Sequence, residues 1–193
     1  MGKKIGWIKV IDYESATGVL KSVYDGVRGP GGQLDNLYKV LGLRPHILKG
    51  ADQLYRAILH DRRNSLTPWL GELIAAYVGI LTGCAYTTAH HGQNFATLYG
   101  APDKADAILA ALHTEADPPF LDQRVIAVLR YCAKLTRTPD QMTEQDVDHL
   151  RHEGVPDGDI LEINQVAASF AYWTRTVNGL GVALADERLG YDA

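Results

Sequence analysis

Residues Thr67 to His91 read TPWLGELIAAYVGILTGCAYTTAHH. A threonine directly before Pro68 predicts a helix start, because a capping hydroxyl precedes a ring that fits the first helical position. The residues that follow are apolar almost all round as far as Leu81, which predicts a helix at the centre of the core. Thr82-Gly83 interrupts this pattern, and a second helix is predicted from about Cys84 to Tyr99.

The rest of the chain shows the same helical period and no alternating strand pattern. Breaks such as the Gly-Pro-Gly-Gly turn at 29–32 separate the periodic segments. The sequence therefore predicts an all-α protein of about eight helices. Besides the two above, the predicted helices are 13–27, 34–41, 45–59, 103–112 (capped by Asp103), 122–136 (capped by Asp122), 143–153 and 157–185, the last with a weak point at 178–181.

Length and composition place the chain among ordinary globular proteins. It has 193 residues, 46% hydrophobic and 22% charged. We expect one domain, with an N-terminal arm at about 1–44, a motif-bearing core at about 45–112 and a C-terminal helical half at about 120–187. The net charge of −4 gives no general attraction for nucleic acid or an anionic membrane. Two isolated cysteines and the lack of a signal-peptide pattern favour a cytoplasmic protein.

One cluster of side chains can carry chemistry. On a helix that begins near Cys84, the positions i+3, i+4 and i+7 share its face, which aligns Cys84, Thr87, Thr88 and His91. The helix N-terminus favours the thiolate of the cysteine, and Glu72 on the preceding helix can reach the imidazole. A carboxylate that orients an imidazole, beside hydroxyls and a thiol, is the minimum for a proton relay. The alternative is structural: the cysteine fills the core, the histidine binds a carbonyl group and the glutamate ends in solvent.

This segment resembles the AhpD-like alkylhydroperoxidase and carboxymuconolactone decarboxylase superfamily, in particular its peroxidase-related branch. The motif of that branch is Glu, eleven residues, then Cys-x-Tyr-Cys-x-x-His-His. The residues in register with it are Glu72, Cys84, Tyr86, His90 and His91. The resemblance implies an AhpD-like helical bundle over residues 1–193, a small-molecule substrate and a homo-oligomer (dimer, trimer or hexamer).

Thr87 departs from this motif. The resemblance places the second motif cysteine here, the one generally taken to attack peroxide, and a threonine cannot close the disulfide of a two-thiol cycle. Only a one-thiol variant remains, in which Cys84 is oxidised to sulfenic acid and an external thiol reduces it. Cys132 lies on the apolar stripe of its own helix, which predicts an inert core thiol.

Three functions stay open. The first is a peroxidase-like oxidoreductase that acts on a small hydroperoxide through one thiol, and the number of retained motif residues favours it by a small margin. The second is a cofactor-free decarboxylase, isomerase or lyase, in which the imidazole moves a proton and Tyr86 or Thr87 binds an oxyanion. The third is a binding or scaffold protein without catalysis. The candidate catalytic residues are Glu72, Cys84 and His91, with Tyr86, Thr87 and His90 in support.

No cofactor or metal ion is predicted. Adjacent residues such as His90 and His91 point about 100° apart on a helix, so they cannot bind one ion from the same face. The sequence also contains no H-E-x-x-H motif and no C-x-x-C pair, the spacings typical of dedicated metal sites.

Overall fold

The computed structural model describes residues 4–29 and 31–190, so Pro30 of the predicted glycine-rich turn lies outside the described residues. Within these ranges the chain forms nine α-helices and no strand. This confirms the prediction of an all-α protein with about eight helices. The helices are α1 (Gly18–Val27), α2 (Asn36–Leu41), α3 (Pro45–Leu59), α4 (Pro68–Leu81), α5 (Ala85–Tyr99), α6 (Pro102–His113), α7 (Gln123–Arg137), α8 (Glu144–His152) and α9 (Asp157–Leu180).

Three predicted helix starts are wrong. Helix α2 begins at Asn36 instead of 34, because the chain is still extended at Asp35. The first helix begins at Gly18 instead of 13, because Tyr13–Ser15 forms a separate 3-10 turn and the chain is extended at Thr17. Helix α6 begins at Pro102, so Asp103 lies in its first turn instead of capping it. A proline ring fits the first helical position, and this moves the start one residue ahead of the predicted cap.

The end of α9 also differs from the prediction. The helix ends at Leu180 and does not reach 185, because Gly181 adopts a left-handed conformation with φ of 60°. The predicted weak point is therefore the actual end. At the start of α4, the Thr67 side chain makes no capping hydrogen bond, although Thr67 and Pro68 do mark the helix boundary.

Helix α4 lies at the centre of the core, as its apolar composition predicts. Nine of its residues are buried, and it contacts α5, α7 and α9. Gly79 brings α5 close, because a Cβ atom at this position would lie 2.8 Å from Oγ1 and 2.9 Å from the backbone nitrogen of Thr88. This close approach places the first turn of α5 against α4. Across the described residues, no helix combines the length and apolar character that a membrane span requires.

Candidate active site

The α4–α5 pair brings Glu72 and His91 together. Glu72 is only 3% exposed, and its Oε2 lies 2.6 Å from Nδ1 of His91. Asn94, one turn further along α5, donates a second hydrogen bond to the same oxygen at 3.2 Å. The structure therefore contains the contact between carboxylate and imidazole that the sequence predicts, and the alternative in which Glu72 ends in solvent is wrong.

The carboxylate fixes the tautomer of His91. An ionised carboxylate only accepts hydrogen bonds, so Nδ1 of the ring is the donor and Nε2 carries the lone pair. Phe170 packs edge-on against the imidazole, with ring centroids 4.5 Å apart, and Tyr55 lies edge-on at 6.4 Å. These contacts hold the ring in one orientation. Nε2 of His91 is thus the nitrogen left for a substrate.

The four residues predicted to share one face of α5, which we call the stripe, are Cys84, Thr87, Thr88 and His91. In the structure they divide into two parts. Thr87 and His91 line a cavity of about 40 Å³, which we call the inner cavity, whereas Cys84 and Thr88 do not. Cys84 is the N-cap residue of α5 and is 1% exposed. Its thiol donates to Oγ1 of Thr87 at 3.2 Å, so the sulfur lies directly behind the threonine.

The inner cavity adjoins a larger space. We call this the outer chamber, a pocket of about 410 Å³ whose walls include Arg28, Arg56 and His60. Together the two have the size of a small-molecule site. They share three wall residues: Asp35, Tyr38 and Tyr55. The other walls of the inner cavity are Leu37, Tyr86, Thr87, His90, His91, Phe170 and Trp173.

Tyr86 and His90, which also line the inner cavity, belong to a second cluster. The Tyr86 hydroxyl donates to Oε1 of Glu187 at 3.0 Å. Burial, reinforced by the charge of Glu187, raises the pKa of Tyr86 well above its ordinary value, so the phenol keeps its proton. That proton points at Glu187 and not into the cavity.

Each of the two adjacent histidines has its own carboxylate neighbour. Nε2 of His90 lies 3.7 Å from Oε2 of Glu187, whereas His91 contacts Glu72. The helical twist therefore separates the two rings as predicted. In the part of the chain that the structure describes, no group of three or more His, Cys, Asp or Glu side chains is placed to hold a metal ion.

His60 is a site residue that the sequence reasoning missed. It follows the last turn of α3, and its ring stacks edge-on against Tyr55 at 4.9 Å. Desolvation by the surrounding protein lowers the pKa of His60, although the residue is exposed. The charge of Glu72 opposes this effect, and His91 adds to it. His60 is thus electrostatically coupled to the buried pair from the outer chamber.

Cys132 lies in the core, as its apolar stripe predicts. It is fully buried, and burial raises the pKa of its thiol far above the ordinary value. It packs in the cluster between α4, α7 and α9, and Cys84 belongs to a different cluster near α2 and the end of α9. The two cysteines are both free thiols.

No family model and no curated protein matches the sequence. Solved structures do match. An AhpD-core peroxidase-related protein from Ralstonia eutropha JMP134 is 22% identical, with a TM-score of 0.82 over 94% of this chain and 93% of that chain. A peroxidase-related protein from Silicibacter sp. TM1040 is also 22% identical, with a TM-score of 0.80 over 94% and 93%. A debrominase is 17% identical, with a TM-score of 0.74 over 93% and 90%.

The chain has the AhpD-like fold. The high TM-scores extend over nearly the whole length of each protein, which confirms the fold that the motif implies. At these identities the likeness shows the fold alone, since one fold hosts many activities. What this chain does must therefore be argued from its own residues.

Proposed function

We propose that the protein is an enzyme that moves a proton on a small carbonyl or carboxylate substrate, in the manner of a decarboxylase, isomerase or lyase. The observation that carries this proposal is the division of the stripe. His91 and Thr87 line the inner cavity, and Cys84 is closed off behind Thr87. A substrate in the cavity therefore meets a base and a hydroxyl before it meets the thiol.

The imidazole of His91 is the base. Nε2 takes a proton from the substrate, and the carboxylate of Glu72 at Nδ1 stabilises the imidazolium that forms. Glu72 is buried and the His91 side chain is only 12% exposed, so the interaction takes place in surroundings of low dielectric constant, where it is stronger than in water. In an isomerisation the same ring returns the proton to another atom of the substrate. In a decarboxylation the ring takes the proton of the carboxylic acid, CO₂ leaves as the C–C bond breaks, and the ring returns the proton to the carbon that is left.

The hydroxyl of Thr87 is the candidate oxyanion donor. Because its oxygen accepts the thiol proton of Cys84, the hydroxyl can direct its own proton to a substrate oxygen in the cavity. Tyr86, the alternative donor, directs its proton at Glu187. We therefore assign the oxyanion role to Thr87 alone.

Proton exchange tests this proposal. We would incubate the protein in D₂O with a panel of small β-keto acids, lactones and 1,3-diketones and follow the loss of each C–H signal by NMR. His91→Ala is expected to lose about 10²–10⁴-fold in rate, and the exposed His149→Ala serves as its matched control. Cys84→Ala should keep most of the activity. Activity that depends on the cysteine and not on His91 would contradict the proposal.

A one-thiol peroxidase is the second candidate. It is favoured by the peroxidase-related neighbours and by the sulfur of Cys84, which lies 3.2 Å from a hydroxyl of the cavity wall. In this reaction the thiolate attacks a peroxide oxygen, the O–O bond breaks, and the products are a sulfenic acid and an alcohol. An external thiol then forms a mixed disulfide and releases water, and a second thiol restores Cys84.

Hydroperoxide turnover with dithiothreitol separates the two candidates. Equal rates for the wild type and Cys84→Ala would exclude the peroxidase. Mass spectrometry after mild peroxide treatment adds a direct readout, since an added oxygen on Cys84 but not on Cys132 would favour it. The buried Cys132 is the matched internal control.

We also propose that the protein is a cytoplasmic homo-oligomer that needs no nucleic acid or membrane partner. The two free, buried cysteines and the net charge of −4 support the location and the lack of such partners. Large exposed apolar side chains, such as Trp7 and Leu161, support self-association. Light scattering on the purified protein tests the assembly as a dimer, trimer or hexamer.

A further inference from the structure

Two aromatic rings form one wall of the inner cavity. Tyr86 and His90 stack with centroids 4.7 Å apart, and both line the cavity. Glu187 does not line the cavity. It lines a separate surface pocket together with Asn36, Lys39 and Arg188. Its carboxylate therefore lies behind the two rings, on the side away from the substrate space.

One oxygen of Glu187 is firmly held. Oε1 accepts the Tyr86 hydroxyl at 3.0 Å and the backbone N–H of Asn36 at 2.9 Å. The Asn36 side chain in turn donates to the carbonyl oxygens of Ala183 and Leu184, each at 3.1 Å. These bonds fix the segment after α9 and the carboxylate that it carries.

The other oxygen faces His90 across a gap. The backbone N–H of Gly190 donates to Nδ1 of His90 at 3.4 Å, so in the neutral ring the proton lies on Nε2. That Nε2 is 3.7 Å from Oε2 of Glu187, which is too long for a hydrogen bond. Both atoms are buried without a partner, and the Glu187 side chain is only 7% exposed. A buried donor and a buried acceptor thus face each other with the bond unmade.

The inner cavity is too small for a substrate as it stands. A volume of about 40 Å³ holds a few water molecules. A carbonyl compound that lies wholly within the inner cavity, against His91 and Thr87, must displace a wall. Among the wall residues, His90 can form a new hydrogen bond when it is displaced, because a shift of its ring by about 1 Å towards Glu187 brings Nε2 and Oε2 to hydrogen-bond distance.

We infer that Glu187 is a positioning residue of this wall: it holds Tyr86 through Oε1, and its Oε2 receives the Nε2 proton of His90 when a substrate fills the inner cavity. The inference rests on the proposed function, because it takes the inner cavity as the substrate site. The hydrogen bond between His90 and Glu187 forms only when the inner cavity is occupied. It therefore stabilises the ligand-bound state and raises the affinity for a ligand that displaces the His90 ring.

Phenol is the probe for the test, as a small aromatic molecule that exceeds the empty cavity. Nitrogen-detected NMR of the histidine rings follows its titration. In the wild type, phenol should shift the Nε2 proton of His90 downfield as the hydrogen bond forms. Glu187→Gln should abolish this shift and weaken phenol binding by about 2–10-fold. The glutamine amide has a single oxygen, and the Tyr86 hydroxyl and the backbone N–H of Asn36 both need it as their acceptor. The NH₂ group of the amide is then left facing the N–H of His90, so two donors meet there.

Two controls complete the experiment. Glu144→Gln, an exposed change of the same kind on α8, should behave as the wild type. The His91 signals report occupancy of the cavity independently of Glu187. A response at His91 without one at His90 overturns this inference alone, whereas no response at either ring overturns the proposed use of the cavity as well. A His90 shift that persists in Glu187→Gln also overturns the inference.

Discussion

Gly79→Ala tests the contact on which the site geometry depends. Gly79 lies inside α4, where α5 crosses it, and its carbonyl oxygen accepts the N–H of Cys84 at 2.8 Å. A Cβ atom here would lie 2.8 Å from Oγ1 and 2.9 Å from the backbone nitrogen of Thr88, and 3.2 Å from Cγ2 of Thr87. The Thr88 hydroxyl can rotate away, but the backbone nitrogen cannot. The two helices must therefore separate at this point.

The expected loss of stability in Gly79→Ala follows from comparison with a second glycine. Gly50 also lies within a helix, α3, and a Cβ atom there meets nothing within 4 Å. Both substitutions gain the same helix propensity, about 1 kcal/mol, so this contribution cancels in the difference. What remains is the cost of overpacking, and we expect Gly79→Ala to be less stable than Gly50→Ala by about 1–3 kcal/mol.

Urea unfolding followed by circular dichroism measures this difference, with the slope m checked for a two-state transition. A difference between the two variants below about 0.5 kcal/mol, within the range of ordinary surface substitutions, would refute the reasoning. The same displacement moves Thr87 and Cys84 relative to Glu72, because they begin α5. Gly79→Ala should therefore also reduce proton exchange, measured at a temperature at which circular dichroism shows both variants folded, and Gly50→Ala should not.

Other predictions address electrostatics and capping. Glu72→Gln should lower the pKa of His60 further, because the carboxylate charge is what opposes desolvation there. An NMR titration that gives an unchanged or higher value would contradict this coupling. Asp122→Ala should cost about 0.5–2 kcal/mol of stability, because its side chain accepts from the N–H of Val125. Thr67→Ala should cost much less, since Thr67 makes no capping bond, and equal losses in thermal unfolding would show that capping is not the cause.

Local signals explain most of what the sequence predicts about the fold. Pro68 and Asp122 mark helix starts correctly because the ring and the capping carboxylate act within one turn of the chain. Apolar residues continue beyond Gly181, so the hydrophobic pattern extends past the actual end of α9. A single left-handed residue ends the helix there, and the backbone N–H of Trp7 donates to the carbonyl oxygen of Leu180 at the helix end.

The site is predictable only where helical periodicity governs it. Glu72 and His91 lie on adjoining helices joined by a short turn, so their contact follows from spacing. Glu187 approaches Tyr86 from 101 residues away, and no local pattern marks an isolated glutamate as a site residue. Periodicity also gives the face of a helix and not the depth of each side chain. For this reason the stripe predicted Cys84 beside Thr87, but not behind it.

The motif that this segment resembles has a second cysteine at position 87, where this chain has a threonine, and this difference bears on the chemistry that the site can support. A disulfide cycle needs sulfur at both ends of the 3.2 Å contact between residues 84 and 87, and this chain has sulfur at one end only. The contact between Glu72 and His91 needs neither thiol, because it depends on the close packing of α4 and α5. The acid–base pair therefore does not depend on the residue at position 87: Glu72 is buried, and His91 lines the inner cavity. This independence is the reason that we propose proton transfer ahead of a thiol-dependent reaction.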